Sequence, residues 1–225
     1  MDDLGLELDI LRRKYRENFV LIAQDIKNKI DELKPSDLSG EIFDKFEANS
    51  SGKIWQDKTL KFFDEILSNE IPENISKIKE FRNSCNCLGC GVCCRFACSE
   101  FSPEELKSKA ENGDIFAKQF TQIFVPYNSL DDVKKIFPQY LKMLEEKNES
   151  GYYFYHCPKV TSDNRCPDYE NRPQICRDFP DNPLAFLPLE CGFKLWKKNS
   201  EDIALKLNAT SEIINFYKNK IKEKY

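Results

Sequence analysis

The feature that most constrains this chain is a dense cluster of cysteines. Six of its ten cysteines fall between positions 85 and 98, in the stretch CNCLGCGVCC and shortly after it. The overlapping Cys-x2-Cys-x2-Cys-Cys spacing lets neighbouring sulfurs reach one ion. Gly91 can adopt positive φ and turn backbone N–H groups toward thiolates. The sequence therefore predicts a metal site. Disulfide bonds are the alternative explanation for so many cysteines.

The expected compartment argues against disulfides. The N-terminus has no basic region, apolar core and cleavage site of a signal peptide, and no apolar run is long enough to span a membrane. We therefore expect a cytoplasmic protein with no membrane partner, in which disulfides would not persist. The adjacent residues Cys93 and Cys94 would also rarely reach disulfide geometry with each other. A net charge of −4 gives no basic footprint for nucleic acid.

Four later cysteines complete the candidate ligand set. Adjacent side chains should diverge, so we expect Cys93 and Cys94 to serve different ions, or one ion and one other role. Eight ligands suit either two four-coordinate sites or one polynuclear site. Cys85 and Cys98 are equally well explained as ligands or as small hydrophobic residues. The predicted metal ligands are Cys87, Cys90, Cys93, Cys94, Cys157, Cys166, Cys176 and Cys191.

The identity of the metal stays open between iron–sulfur and zinc. Overlapping Cys-x2-Cys spacing and Cys-Pro pairs resemble iron–sulfur ligation, whereas paired knuckles from distant segments also build closed zinc sites. The chain has one histidine, His156, which excludes most histidine-based catalytic metal centres. We expect Arg177, which adjoins Cys176, to donate to sulfur; Arg172 either does the same or pairs with nearby acids.

The predicted fold is mainly α with a small β-hairpin, a helical bundle around a cysteine-rich metal-binding core. Apolar residues recur every three or four positions from Leu4 to Leu33, which predicts one long helix ended by Pro35. Further helices are predicted over 39–48, 53–69 and 72–83. The apolar stripe of the first helix suits packing in a bundle, or a surface for a protein partner or substrate.

The remaining segments are read from cap and turn signals. Ser102 and Ser129 are expected to cap two helices, with Pro138 restarting or kinking the second. The aromatic stretch from 152 and the segment around Cys166 are predicted to form a β-hairpin across the turn TSDN. A short helix should carry Cys176. The domains are predicted as an N-terminal helical region (1–80), a cysteine-cluster metal-binding domain (81–197) and a C-terminal helix packing on the rest (198–225).

Two motifs together resemble a known family. CLGCGVCCR, followed by CPKVTSDNRCPDYENRPQICRDFP, is similar to the CxxCxxCC family of YkgJ-like cysteine-cluster proteins, described as zinc- or iron-chelating. The resemblance covers roughly residues 85–195 and implies a cysteine-bound metal centre. It also implies that three matching residues lie at the bound group: Tyr169, Arg172 and Arg177. The motif is shared with flagellin lysine N-methylase, which resembles an iron–sulfur protein that moves methyl groups from S-adenosylmethionine, although no GxGxxG or radical-SAM CxxxCxxC motif is present here.

Three functions are consistent with these patterns. The first is an iron–sulfur protein in redox or group-transfer chemistry, including methyl transfer. The second is a structural zinc-binding interaction module, and the third is a metal-handling protein without turnover. No G-x-S-x-G, P-loop or H-E-x-x-H motif adds another catalytic centre.

Overall fold

A computed structural model describes residues 3–223, which divide into two compact units. The cysteine unit contains residues 3–9 and Cys85–Leu195, and the helical unit contains Ile10–Ser84 and residues 196–223. The helices are α1 (Leu4–Glu32), α2 (Ser51–Glu65), α3 (Ile71–Asn83), α4 (Val92–Arg95), α5 (Pro103–Glu111), α6 (Ile115–Ile123), α7 (Leu130–Lys134), α8 (Pro138–Glu146), α9 (Gln174–Asp178) and α10 (Lys194–Lys222). The strands are β1 (Ala97–Ser99), β2 (Val125–Pro126) and β3 (Tyr153–His156). The prediction of a mainly α fold with a small β element is therefore confirmed.

The helical unit is built on the apolar faces of its long helices. The predicted first helix is confirmed as α1, and Ile26 and Ile30 on its stripe are buried. They pack in one cluster with Trp55, Phe63 and other residues of α2 and α10. The indole Nε1 of Trp55 donates to the carbonyl of Ile30 at 2.8 Å, so a buried polar group is satisfied at the end of α1.

The helix predicted over 39–48 is wrong, because this segment forms turns. The buried side chain of Gln56 donates to the carbonyls of Ile42 and Asp44. Those carbonyls would accept from later backbone N–H groups in a helix, so the side chain of Gln56 supplies an alternative partner. The helix predicted over 53–69 is α2 followed by a π-helical turn, Ile66–Glu70, and the helix predicted over 72–83 is α3.

The sheet of the cysteine unit is three-stranded and antiparallel, with β3 between β1 and β2. Cys98 pairs with Phe154, and Val125 pairs with His156. Neighbouring residues of a strand point to opposite faces, and here both faces are covered. Phe154 packs with helices α7 and α8, whereas Tyr155 packs with α5 and α6.

Helix starts in the cysteine unit follow the predicted signals. Ser102 accepts a hydrogen bond from the backbone N–H of Glu105, whose carboxylate accepts from the N–H of Ser102, so α5 begins with a capping box. Ser129 caps α7, and Pro138 opens α8 in its first turn. Helix α6 was not predicted, although Asp114 supplies a cap to the N–H of Ala117.

The predicted β-hairpin with arms around Cys157 and Cys166 is wrong. The turn itself forms, since the N–H of Thr161 donates to the carbonyl of Arg165 at 3.0 Å. Strand β3, however, ends at His156 and pairs with the earlier strands β1 and β2. Pro158 and Pro167 lack the N–H donors that a ladder between the two arms would need.

Within residues 3–223, no helix combines the length and the apolar character needed to cross a membrane.

Candidate metal centre

The first cysteine segment is shaped by two glycines with positive φ. Gly89 has φ 71° and its N–H donates to the Sγ of Cys87 at 3.4 Å. Gly91 has φ 74° and precedes α4, the short helix that carries Cys93 and Cys94. The positive φ predicted for Gly91 is confirmed, whereas the N–H···S bond to Cys87 comes from Gly89, which was not predicted.

The second cysteine segment lies directly against the first. The N–H of Cys157 donates to the carbonyl of Cys94 at 2.7 Å, which brings the end of β3 next to α4. Arg95 donates through Nε to the Oδ1 of Asn164 at 2.9 Å and through Nη2 to the carbonyl of Thr161. These bonds hold the 161–165 turn, and with it the approach to Cys166, beside the Cys-Cys pair.

Gly91 and Asn164 are packed too closely for a side chain at position 91. A Cβ there would lie 2.6 Å from the Cβ of Asn164. Glycine at this position therefore has two functions: it permits a positive φ and it lets the second segment approach the first.

Cys191 is brought to the start of the first segment by its neighbour Gly192. A Cβ at position 192 would lie 2.0 Å from the carbonyl oxygen of Asn86 and 2.9 Å from the Cγ of Leu88. The backbone after Cys191 thus lies directly on the backbone that precedes Cys87. Only glycine permits such a close approach.

Helix α9 positions Cys176. Its neighbour Ile175 packs against the cluster that contains Tyr155 and Phe120. Tyr155 lies on β3 two residues before Cys157, so the same cluster fixes both α9 and the strand that leads to Cys157.

The adjacent thiols Cys93 and Cys94 shift each other's pKa in opposite directions, and the expectation that their side chains diverge stays a prediction. The pKa of Cys94 is lowered to about 7, first by the neighbouring thiol of Cys93 and then, against the effect of burial, by the guanidinium groups of Arg172 and Arg95. The pKa of Cys93 is raised, first by the neighbouring thiol of Cys94 and then by burial. Both residues lie on the single turn of α4.

The candidate ligands fall into two sets, according to which cysteines shift one another's pKa. Burial raises the pKa of Cys191, and the charges of Cys90 and Cys87 add to it. The same two residues raise the pKa of Cys93. We call Cys87, Cys90, Cys93 and Cys191 the first thiol group.

The second set surrounds Cys176. Burial raises the pKa of Cys176, and the charges of three other cysteines raise it further. We call this residue and those three neighbours the second thiol group: Cys94, Cys157, Cys166 and Cys176.

The three predicted side chains around the ligands have distinct contacts. The guanidinium of Arg172 stacks on the ring of Tyr169 at 3.6 Å, and its charge acts on Cys94 and Cys176. Arg177 donates to the carbonyls of Glu170 and Arg172, both at 2.7 Å, and so braces the loop before α9. The sulfur contact expected of Arg177 stays a prediction.

The remaining candidates lie in structural contacts. Cys98 lies on β1 with its Sγ 3.8 Å from the hydroxyl of Tyr140. The ring of His156 packs on that of Tyr127 at 4.6 Å. Cys85 lies two residues after the end of α3, and like all ten cysteines it is a free thiol.

The chemistry of this donor set fits a thiophilic metal. Eight free thiols, all partly buried, lie in two mutually interacting groups. Thiolates are the ligands of zinc and of iron–sulfur clusters. In the part of the chain from 3 to 223, no three Cys, His, Asp or Glu side chains are already arranged to hold an ion. Binding therefore requires the cysteine side chains to rotate about their single χ angle, within segments that the backbone already holds together.

Sequence reasoning missed the residues that join the segments: Arg95, Thr161, Asn164 and Gly192. Arg95 directly follows the Cys-Cys pair, and Gly192 directly follows Cys191. Adjacency to a predicted ligand is therefore the signal that could have identified two of them. Nothing in the local sequence marks Asn164 apart from its place in a turn.

Comparisons with known proteins give one match. No curated protein and no solved structure matches the chain. The profile of the CxxCxxCC family, described as "Putative zinc- or iron-chelating domain", matches residues 86–206. This range covers more than half of the chain and contains all eight candidate ligands from Cys87 to Cys191. The chain thus belongs to the CxxCxxCC family of zinc- or iron-chelating domains.

Proposed function

We propose that this chain is an iron–sulfur protein acting in redox or group-transfer chemistry, with both thiol groups supplying its ligands. The observation that carries the proposal is the all-thiolate donor set assembled from two remote segments. The chain's only histidine packs on Tyr127, so nitrogen ligation contributes little to this set. When bound, an iron–sulfur cluster supplies a one-electron donor and acceptor, or an iron that can bind a substrate.

The protein's own residues support such a group in two ways. The N–H of Gly89 donates to the sulfur of Cys87, and hydrogen bonds to sulfur help to set cluster potentials. The charges of Arg95 and Arg172 act on Cys94 and offset the negative charge of clustered thiolates. The ligand cysteines are only partly buried, which leaves access for an electron-transfer partner or a substrate.

A structural zinc site is the second candidate, and one observation favours it. Between β3 and α10, the described chain contains one regular element, the five-residue helix α9. A segment with so few backbone hydrogen bonds benefits most from cross-linking by a closed metal site. In that case the chain would be an interaction module, with a protein partner bound through the helical region.

Anaerobic purification followed by elemental analysis and an absorption spectrum tests the proposal. An iron–sulfur protein is expected to be brown, to contain iron and acid-labile sulfide, and to lose its colour in air. Stoichiometric zinc in a colourless protein would contradict the iron–sulfur proposal and support the structural zinc site.

Methyl transfer needs a separate test, since a bound metal does not by itself imply this reaction. Incubation of the iron-loaded protein with labelled S-adenosylmethionine and lysine-containing peptides should give labelled peptide. Binding of iron without any transfer of label would leave a redox function and exclude methyl transfer to these peptides.

A further inference from the structure

We propose that the eight cysteines form two separate four-thiolate metal sites that adjoin at the Cys93–Cys94 pair. One site is the first thiol group and the other is the second thiol group, so each member of the pair belongs to a different site. This proposal rests on metal binding as proposed above, and it adds the number of sites and the assignment of each ligand.

The first site is formed where the two ends of the segment Cys85–Leu195 meet. Gly192 brings the backbone of Cys191 against Asn86, immediately before Cys87. Gly89 and Gly91, both with positive φ, fold the chain between Cys87 and Cys93 back on itself. Three ligands therefore come from one tight loop and the fourth comes from a remote segment, as in many zinc knuckles.

The second site is formed on the other side of α4. The hydrogen bond from Cys157 to the carbonyl of Cys94 fixes one pair of ligands. The contacts of Arg95 with the 161–165 turn bring in the approach to Cys166. Packing of Ile175 against Tyr155 brings α9, and with it Cys176, to the same place.

Ligand number and charge agree with this division. Four thiolates complete the shell of a tetrahedral zinc ion, or of one four-iron cluster, and each group contains four. Each group also has a cationic neighbour that offsets its charge. Lys194 acts on Cys191 in the first group, whereas Arg172 acts on Cys94 and Cys176 in the second.

The alternative is one polynuclear site in which thiolates bridge several ions. Cys93 and Cys94 are adjacent in the chain, which places the two groups next to each other, so proximity does not separate the alternatives. The two alternatives differ in how many bound ions are affected when one ligand is substituted. In two sites, loss of one ligand affects the ion of its own group; in a bridged site it affects every ion.

Cadmium NMR on the full-length reduced chain separates the alternatives, with cadmium as the probe of thiolate sites. We expect two resonances and two bound ions per chain. Cys191→Ala and Cys90→Ala should remove the same resonance, and Cys176→Ala and Cys166→Ala should remove the other. Each of these variants should bind half as much cadmium as the unchanged protein, and Cys85→Ala, outside both groups, should retain both resonances.

The outcomes distinguish this proposal from the one on which it rests. Two variants of one group that agree with each other exclude a simple folding defect as the cause. If the unchanged chain shows two resonances and a variant of either group loses both, the division into two sites would be overturned. Metal binding itself would not be. Loss of a resonance in Cys85→Ala would contradict the ligand assignment. No bound cadmium in the unchanged chain would overturn both proposals.

Discussion

At the scale of single residues, the metal centre depends on positions that bind nothing themselves. Gly192 is the clearest case, since a side chain there would meet the main-chain oxygen of Asn86 at 2.0 Å. Main-chain atoms cannot rotate away as side-chain atoms do. The placement of Cys191 therefore depends on the absence of a Cβ at its neighbour.

Gly192→Ala should lower metal affinity by about 10-fold or more, a loss typical of removing support from a ligand. The reason is displacement of Cys191 from the first segment. Competition with a chromophoric chelator measures the affinity. Gly151→Ala is the control, because no atom lies within 4 Å of a Cβ at that position and its positive φ costs only about 1–2 kcal/mol of local strain. Equal affinities of the two variants would contradict this role of Gly192.

Arg95→Lys should weaken metal binding by about 10- to 100-fold. Lysine cannot reproduce the two simultaneous bonds to Asn164 and Thr161, because it lacks the rigid guanidinium fork. The matched control is Arg165→Lys, since the side chain of Arg165 is 82% exposed and its ion pair with Asp163, at 3.2 Å, lies in solvent, where it contributes little. Isothermal titration with zinc compares the two variants. An unchanged affinity in Arg95→Lys would show that the turn needs no such anchor.

The candidate ligands could be chosen from the sequence, and the residues that hold their segments together could not. Cysteine spacing reports which sulfurs can share an ion, because a two-residue gap is a local property. The bonds of Arg95 join residues about seventy positions apart, so no local pattern contains them.

At the scale of elements, helix starts in the cysteine unit depend on local caps. Ser102→Ala removes the side-chain acceptor of the capping box and should destabilise α5, and with it the packing of Leu106, by about 1 kcal/mol. Urea unfolding monitored by circular dichroism measures the change. Ser108→Ala on the exposed face of the same helix is the control and should be neutral or slightly stabilising. Destabilisation by both variants alike would exclude the cap as its cause.

Elements with caps and a long apolar period were predicted correctly, and those defined by tertiary partners were not. The signals that predict helix α1 and the cap of α5 lie in contiguous residues. The segment 39–48 also has helical spacing, yet the side chain of Gln56 binds its carbonyls. Strand β3 was expected to pair forward along the chain, but its partners are the earlier strands β1 and β2. Pairing over such separations is decided by the core on both faces of β3.

At the scale of the whole molecule, the two units should respond differently to removal of the metal. The helical unit has its own apolar core, which contains no cysteine. In the cysteine unit, the 157–193 segment has α9 as its one regular element, and the Cys157–Cys94 hydrogen bond and the close approach of Gly192 to Asn86 join it to the first cysteine segment. Metal binding to such a segment contributes directly to its folding free energy.

Hydrogen exchange measured before and after chelation under reducing conditions tests this difference. Amides in 157–193 should lose most of their protection, whereas those of α2 and the apolar face of α10 should keep theirs. Helix α8, which packs in the core around Phe154, serves as an internal reference within the cysteine unit. Unchanged protection of 157–193 would show that the segment is ordered without an ion. The three-region domain division predicted from the sequence stays a prediction, since it concerns independent folding.

The close approach of Gly192 to Asn86 has a consequence for how the chain can be cut and rejoined. It brings together the two ends of a stretch of roughly a hundred residues, so this larger segment of the cysteine unit begins and ends at the same place. Closing a loop between distant ends has an entropic cost that grows with its length, and here the segment's own contacts already close it. A peptide bridge of a few residues in its place would therefore leave the helices on either side connected over the same short span.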